Sequence, residues 1–174
     1  GGIRVENTGG AVEASTGSGN VIVSRAGGNT SATTGSGSIQ LSSIEGSAHA
    51  HTGSGNIEIA RAGGAVRAKA GSGRVRVEKA MGEVEAASAS GSVEVEGSPK
   101  SARWDLRTGS GSVHVTLPPG TPFELDAHTG SGTISTAHPV TVSGAIRRNE
   151  LRGVAIRPDN RIYIRVASGS VRID

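Results

Sequence analysis

Apolar and polar residues alternate in short runs along the whole chain, and each run follows a glycine-containing turn. The clearest runs are NVIV, NIEI and RVRV, which directly follow the tripeptide GSG. A second set lies in GGAVEAS, GGAVRAK and MGEVEAA, where the run follows a GG or MG turn. Alternation with a period of two is typical of strands that have one buried and one exposed face. No helical period competes with it, so the pattern predicts an all-β protein.

The turns recur at a fixed interval. In the first part of the chain a turn glycine returns every 18 residues, and the later steps are 20, 21 and 37 residues; these glycines are Gly19, Gly37, Gly55, Gly73, Gly91, Gly111, Gly132 and Gly169. A short fixed period is the signature of a solenoid. We therefore predict a thin single-domain β-solenoid (a β-helix) over 1–174, with about 18 residues and two short strands per coil. Residues 1–99 form regular coils, and 100–174 form longer, capping coils with an irregular C-terminal cap.

Stacking the predicted coils aligns the inward-facing residues in columns. One column reads Val12, Thr30, Ala48, Val66, Val84, Trp104 and Leu125, and the opposite strand supplies Val21, Ile39, Ile57, Val75, Val93, Val113 and Ile134. Beside the turns, Thr16, Thr34 and Thr52 form a column that we expect to bond corner backbone groups through their hydroxyls. The large Trp104 and Leu106 replace small residues, which predicts a wider interior towards the C-terminus.

Two longer segments carry a family resemblance. TGSGSVHVTLPPGTPFELDAHTGSGTI, with NRIYIRVASGSVRI near the end, resembles the bacterial family of β-strand-repeat proteins labelled adhesins, which are toast-rack-like solenoids of unknown function. The resemblance covers essentially the whole chain. It implies a scaffold associated with the bacterial surface or envelope, and it brings no catalytic motif and no functional residue to carry over.

The composition limits the classes of protein to which this chain can belong. There are 28 glycines among 174 residues, one residue each of Phe, Trp and Tyr, and no cysteine, which excludes disulfides and thiol chemistry. No apolar run approaches the roughly 20 residues of a membrane helix. The opening GGIRVENTGG has neither an initiator Met nor a basic region, so we expect that a signal or anchor has been trimmed away. The expected location is the cell envelope or the extracellular space.

Metal binding is disfavoured at the two places where the pattern suggests it. The period equals two nonapeptides of a calcium-binding β-roll, but the residues after GSG include Asn20, Ser38 and Arg74 and no carboxylate, which calcium would require. His49 and His51 point outward together, yet no third ligand completes a site, and a solvated strand face is the favoured interpretation. We predict no metal and no cofactor.

The C-terminal segment is basic. Between residues 145 and 174 there are seven arginines and three acidic residues, in a chain of formal net charge +3. A basic surface attracts anionic polymers, so the candidate anion or partner surface comprises Arg147, Arg148, Arg152, Arg157, Arg161 and Arg165. Nucleic acid is a disfavoured partner, because only Tyr163 is available there for base stacking.

The function predicted from these observations is a non-enzymatic, surface- or envelope-associated scaffold, acting as an adhesin or interaction module. Its partner would be a cell-surface polymer or a protein. Two alternatives stay open. Asp105 and Asp126, predicted to lie in one outward column of adjacent coils, would serve a polysaccharide-active β-helix enzyme, although the short coils build no cleft. Unpaired strand edges at the solenoid ends would instead serve a self-assembling structural protein.

Overall fold

The computed structural model describes residues 1–142, 147, 149–155 and 160–174. That part of the chain contains no helix, and hence none that could cross a lipid bilayer. Its strands, in chain order, are β1 (Ile3–Thr8), β2 (Val12–Ser18), β3 (Val21–Ala26), β4 (Thr30–Ser36), β5 (Ile39–Ile44), β6 (Ala48–Ser54), β7 (Ile57–Ile59), β8 (Val66–Ser72), β9 (Val75–Ala80), β10 (Val84–Ser90), β11 (Val93–Gly97), β12 (Arg103–Ser110), β13 (Val113–Thr116), β14 (Phe123–Ser131), β15 (Ile134–Thr136), β16 (Thr141–Val142), β17 (Glu150–Ala155), β18 (Arg161–Ser168) and β19 (Val171–Ile173).

The strands form two sheets that face each other across one thin core. Sheet A has the order β1-β3-β5-β7-β9-β11-β13-β19-β15, and sheet B has the order β16-β17-β14-β18-β12-β10-β8-β6-β4-β2. Each coil contributes one strand to each sheet, and successive coils pair in parallel and in register, as in the series Val21, Ile39 and Ile57. The predicted all-β solenoid with coils of about 18 residues is confirmed.

Glycine is required at the corners because successive coils touch there through their backbones. Gly55 has φ of +142°, and a Cβ on it would overlap the carbonyl oxygen of Gly37 in the coil below. The Thr52 hydroxyl donates to that same Gly37 carbonyl over 3.0 Å, and the Thr34 hydroxyl donates to the Gly19 carbonyl over 3.0 Å. Ser88, Thr108 and Thr129 repeat this bond in later coils. The predicted hydroxyl ladder is confirmed.

The core consists of the predicted inward columns. Almost all of their members are buried, and the exceptions include Ile134, which is half-buried at the last strand of sheet A. In residues 1–99 small alanines of sheet B face larger Val, Ile and Leu side chains of sheet A, so the sheets approach closely. Beyond residue 100 the core holds its largest side chains, with Trp104 and Phe123 completely buried. The Trp104 indole N–H donates to the Gly82 carbonyl oxygen over 3.0 Å, which satisfies its polar atom.

The coils near the C-terminus do not stack in chain order. Strand β18 pairs with β12 on one side and with β14 on the other, and β19 lies in the same way between β13 and β15. The last segment of the chain is therefore inserted between two earlier coils. The prediction that Asp105 and Asp126 lie in adjacent coils is wrong, because Tyr163 occupies the register position between them.

Asn160 shows how the inserted coil is held. Its side-chain carbonyl accepts a hydrogen bond from the Ala102 N–H over 3.0 Å, and its amide donates to the Pro122 carbonyl over 2.8 Å. One buried side chain thus joins the inserted segment to both neighbouring coils.

At the C-terminal end of the stack, sheet B is extended by two antiparallel strands. Strand β17 runs antiparallel to β14, and β16 pairs antiparallel with β17. Among the described residues the cap is formed by 141–142 and 150–155, whereas 161–173 form a regular coil. The predicted irregular C-terminal cap thus corresponds to 141–142 and 150–155, and the last strand returns to the regular coil, as the sequence pattern predicts.

Candidate functional site: the outer face of sheet B

The outer face of sheet B carries like charges side by side where β18 is inserted. Alternation along β12 and β18 points Arg103, Arg107, Arg161 and Arg165 outward. The register places Arg103 opposite Arg161 and Arg107 opposite Arg165. Like charges directly across neighbouring strands are destabilising. The two arginine pairs therefore depend on neighbouring groups, or on a bound anion, for compensation.

Three of these arginines have compensating partners in the sheet. Arg107 donates two hydrogen bonds to the Asp105 carboxylate, each over 2.7 Å. Arg161 lies 3.3 Å from Glu124, and the Arg103 guanidinium lies 4.6 Å from the centre of the Tyr163 ring. Arg107 holds the pKa of Asp105 below its ordinary value through these hydrogen bonds, against the opposing effect of burial.

Arg165 differs from the other three. No carboxylate of the described residues lies within 4.0 Å of its guanidinium, since none of the ion pairs found there includes it. Together with Lys69 and Arg107 it surrounds a shallow depression of about 600 Å³. The floor of the depression includes Ala87 and Ala89, whose short side chains leave the space open. We call Lys69, Arg107 and Arg165 the cationic row.

The cationic row places two guanidinium groups and one ammonium group along one line of the outer face of sheet B, where Arg107 is paired with Asp105 and Lys69 with Glu85. Strands of a sheet are about 4.8 Å apart, so Arg107 and Arg165 are neighbours while Lys69 lies two strands, about 10 Å, from Arg107. Guanidinium groups bind phosphate, sulfate or carboxylate through paired donors, and an ammonium acts as a point charge. The Glu85 carboxylate lies 2.8 Å from Lys69, and Lys69 holds the pKa of Glu85 below its ordinary value. A polymer with several anionic groups can lie across these strands.

Among the described residues, three of the six predicted basic residues lie together on the outer face of sheet B. Arg161 and Arg165 lie on the outer face of sheet B. Arg152 lies on the same face two strands away and contacts Asp126 at 3.5 Å and Glu150 at 3.4 Å. Arg147 is exposed and forms a backbone bridge with Glu150. Arg148 and Arg157 lie outside the described residues.

Sequence reasoning missed Lys69, Arg103 and Arg107 as members of this surface. The alternation in RWDLRTGS does indicate that Arg103 and Arg107 point outward. Their proximity to Arg161 and Arg165 follows only from the insertion of β18, which joins segments that are 58 residues apart in the chain.

The other candidate sites are placed as follows. His49 and His51 lie on the outer face of sheet B, in register with Arg67 and Lys69. Across the described ranges, no group of three or more His, Asp and Glu side chains is arranged to hold a metal ion. Tyr163 lies between Asp105 and Asp126 in the register, so the two carboxylates of the enzyme alternative are not on adjacent strands.

Comparison with known proteins identifies the family alone. Searches of curated proteins and of solved structures each found no match. The model of one family, described as Toastrack DUF4097, matches residues 3–174. This agrees with the two-sheet solenoid and with the resemblance seen in the sequence. The chain belongs to the Toastrack family, a family of repeat scaffolds whose function is unknown and which is not a known enzyme family.

Proposed function

We propose that this protein is a non-enzymatic scaffold of the bacterial cell envelope that adheres to anionic surface polymers. The observation that carries the proposal is the cationic row around an alanine-floored depression on sheet B. The envelope location is supported by the resemblance to bacterial surface-associated repeat proteins.

Two properties of the face favour a polymer over a small ligand. The depression is shallow and open, whereas small-ligand sites are usually concave and enclose most of the ligand. The cations also lie on three of four neighbouring strands, so they match a ligand whose charges repeat along its length. Binding of this kind weakens with salt, because it depends on screened charges and on counterion release.

The test is saturable binding to immobilised poly(glycerol phosphate) and polygalacturonate, with uncharged dextran as the reference polymer. We expect binding to one or both polyanions that falls as salt rises. The double substitution Lys69→Ser with Arg165→Ser should weaken it at least about tenfold, because a hydrogen bond to a charged group contributes about 1.5 kcal/mol or more.

The matched control is the double substitution Arg76→Ser with Arg172→Ser, which also removes two positive charges. Arg76 lies on the outer face of sheet A and is paired with Glu78. Arg172 is an exposed arginine next to an acidic residue, Asp174, and it lies on the same face. We expect this variant to bind like the unmodified protein. An equal loss of polyanion binding in both variants would show that net charge alone controls binding, which would contradict a specific surface. Binding to dextran would contradict an anionic ligand.

A further inference from the structure

A second surface runs along one lateral edge of the solenoid, where each strand of sheet A turns towards the next strand of sheet B. Two depressions of about 770 and about 610 Å³ lie there, and Arg61 and Met81 line both. They adjoin at Arg61 and Met81, and we call the surface that they form together the edge trough. The cationic row lies elsewhere, on the outer face of sheet B, so the two surfaces are independent.

The edge trough is built on a repeated break in strand alternation. Asn7, Arg25, Ser43 and Lys79 occupy the same coil position and are left-handed, with φ between 52° and 57°. In β3 and β9 this residue is a second consecutive outward residue before a buried alanine. Strand β11 has one residue fewer at this point, as its register with β9 shifts between Val95 and Gly97. The missing residue leaves a recess beside Met81.

The left-handed position holds long cationic residues that the backbone conformation does not require. Left-handed conformations are tolerated best by Gly, Asn and Asp, and Asn7 meets that requirement in the first coil. Arg25 and Lys79 adopt the same conformation with long cationic side chains. Strained positions of this kind often mark functional sites. The long cations therefore point to a role for their charge.

The recess combines an apolar wall with free positive charge. Met81 is the one large hydrophobic residue that is exposed in the described chain, at 39%, and Leu117, Pro118 and Pro119 line the recess with it. Among the described residues, no carboxylate lies within 4.0 Å of the side-chain nitrogens of Arg25, Arg61 or Lys79. Glu45 and Glu96 line the trough as well, without pairing with these cations.

We propose that the edge trough binds an extended acidic peptide segment of a partner protein, with one large apolar side chain of the peptide packed against Met81. Methionine is flexible and polarisable, which suits it to varied apolar partners. Arg25 and Arg61 are two coils apart, about 10 Å, which is the length of about three residues of an extended chain. Acidic residues at that spacing can reach both cations. The apolar lining, which includes no aromatic residue, suits a peptide side chain better than a sugar ring.

The single methionine allows a direct test. Met81 is the one Met in the chain, so labelling with ¹³C-methyl methionine gives one side-chain resonance that reports on the trough. The probe is a short peptide of glutamates flanking one phenylalanine. Matched peptides replace every glutamate by glutamine, or the phenylalanine by serine. We expect a saturable shift of the Met81 resonance with the first peptide alone.

The variant Lys79→Asn removes a charge and places in the left-handed position the residue type that occupies it at Asn7, so folding is preserved. We expect it to weaken peptide binding at least about fivefold, because one contact to a charged group is lost. The control Arg172→Ser, on the outer face of sheet A and outside both proposed surfaces, should bind the peptide as the unmodified protein does.

Four results would overturn the proposal. The Met81 resonance could remain unmoved up to about 1 mM peptide. It could shift equally with the glutamine peptide, which would exclude charge recognition. It could shift with polygalacturonate and not with the peptide, which would assign the trough to a glycan. It could move with protein concentration alone, which would assign the trough to a second copy of this chain.

Discussion

The regular coils in residues 1–99 and the coils beyond residue 100 follow the same local rules and reach different arrangements. In the first region each coil stacks on the one that precedes it in the chain, and small alanines line sheet B. In the second region the last segment, 160–174, stacks between 101–117 and 121–136, around Trp104 and Phe123. The repeated strands and glycine corners therefore specify a single coil. The order in which the coils stack depends on further contacts between coils.

The insertion changes which charges are neighbours. Direct stacking of β14 on β12 would place Asp126 beside Asp105, and like charges across strands are unfavourable. With β18 between them, Tyr163 separates the two carboxylates and lies under Arg103. The same insertion places Arg165 beside Arg107. One arrangement thus relieves a repulsion between acids and creates the cationic row.

Deletion of the inserted coil should produce the largest difference between the two regions. In a chain that lacks 160–174, both β14 and β15 lose the strands with which they pair in parallel. We expect amides in 121–142 and 149–155 to lose protection from hydrogen exchange, while those in 1–99 keep it, as measured by mass spectrometry. Retained protection in 121–136 would contradict this, because it would mean that β14 stacks directly on β12.

Core truncation should also distinguish the two regions. Trp104 and Val84 are register partners in the same inward column, one on each side of the boundary between the regions. Trp104→Ala should lower the free energy of unfolding by about 3–5 kcal/mol, and Val84→Ala by about 2 kcal/mol, since the loss follows the buried volume removed. Urea unfolding followed by circular dichroism measures both. Equal losses would show that the larger core residues add no more stability than the smaller ones.

The smallest expected effect is pH dependence at Asp105. Its pKa is lowered in the folded protein, chiefly by the hydrogen bonds from Arg107. The ionised carboxylate therefore stabilises the fold above the ordinary pKa of Asp, and this contribution is lost as pH falls through the lowered value. Because the arginine partners are largely exposed, we expect less than about 1 kcal/mol.

Thermal unfolding between neutral and acidic pH measures this contribution. Asp105→Asn should show a smaller loss of stability in acid than the unmodified protein. Glu85→Gln is the counterpart in the regular region, since the pKa of Glu85 is also lowered, chiefly by its hydrogen bond with Lys69. An unchanged acid response in Asp105→Asn would show that the Arg107 pair contributes nothing to folding.

Of the cationic row, the sequence predicted Arg165 alone, and it did not predict how the row is assembled. The alternation in β12 and β18 shows that Arg107 and Arg165 point outward. Tail composition alone selected Arg152 as well, although Arg152 has the acidic partners Asp126 and Glu150. Lys69 gave no signal, because its role depends on the alanines that leave the depression open between it and the arginines.

The amino-acid sequence by itself determined the coil: the two strands, the inward columns, the glycine corners and the hydroxyl ladder. These features are local or repeat every 18 residues, so side-chain periodicity and the backbone freedom of glycine suffice to specify them. Only the tertiary structure decided where the last coil stacks, and with it the cationic row. That choice depends on packing and hydrogen bonding between segments distant in the chain, such as the contacts of Asn160 with Ala102 and Pro122.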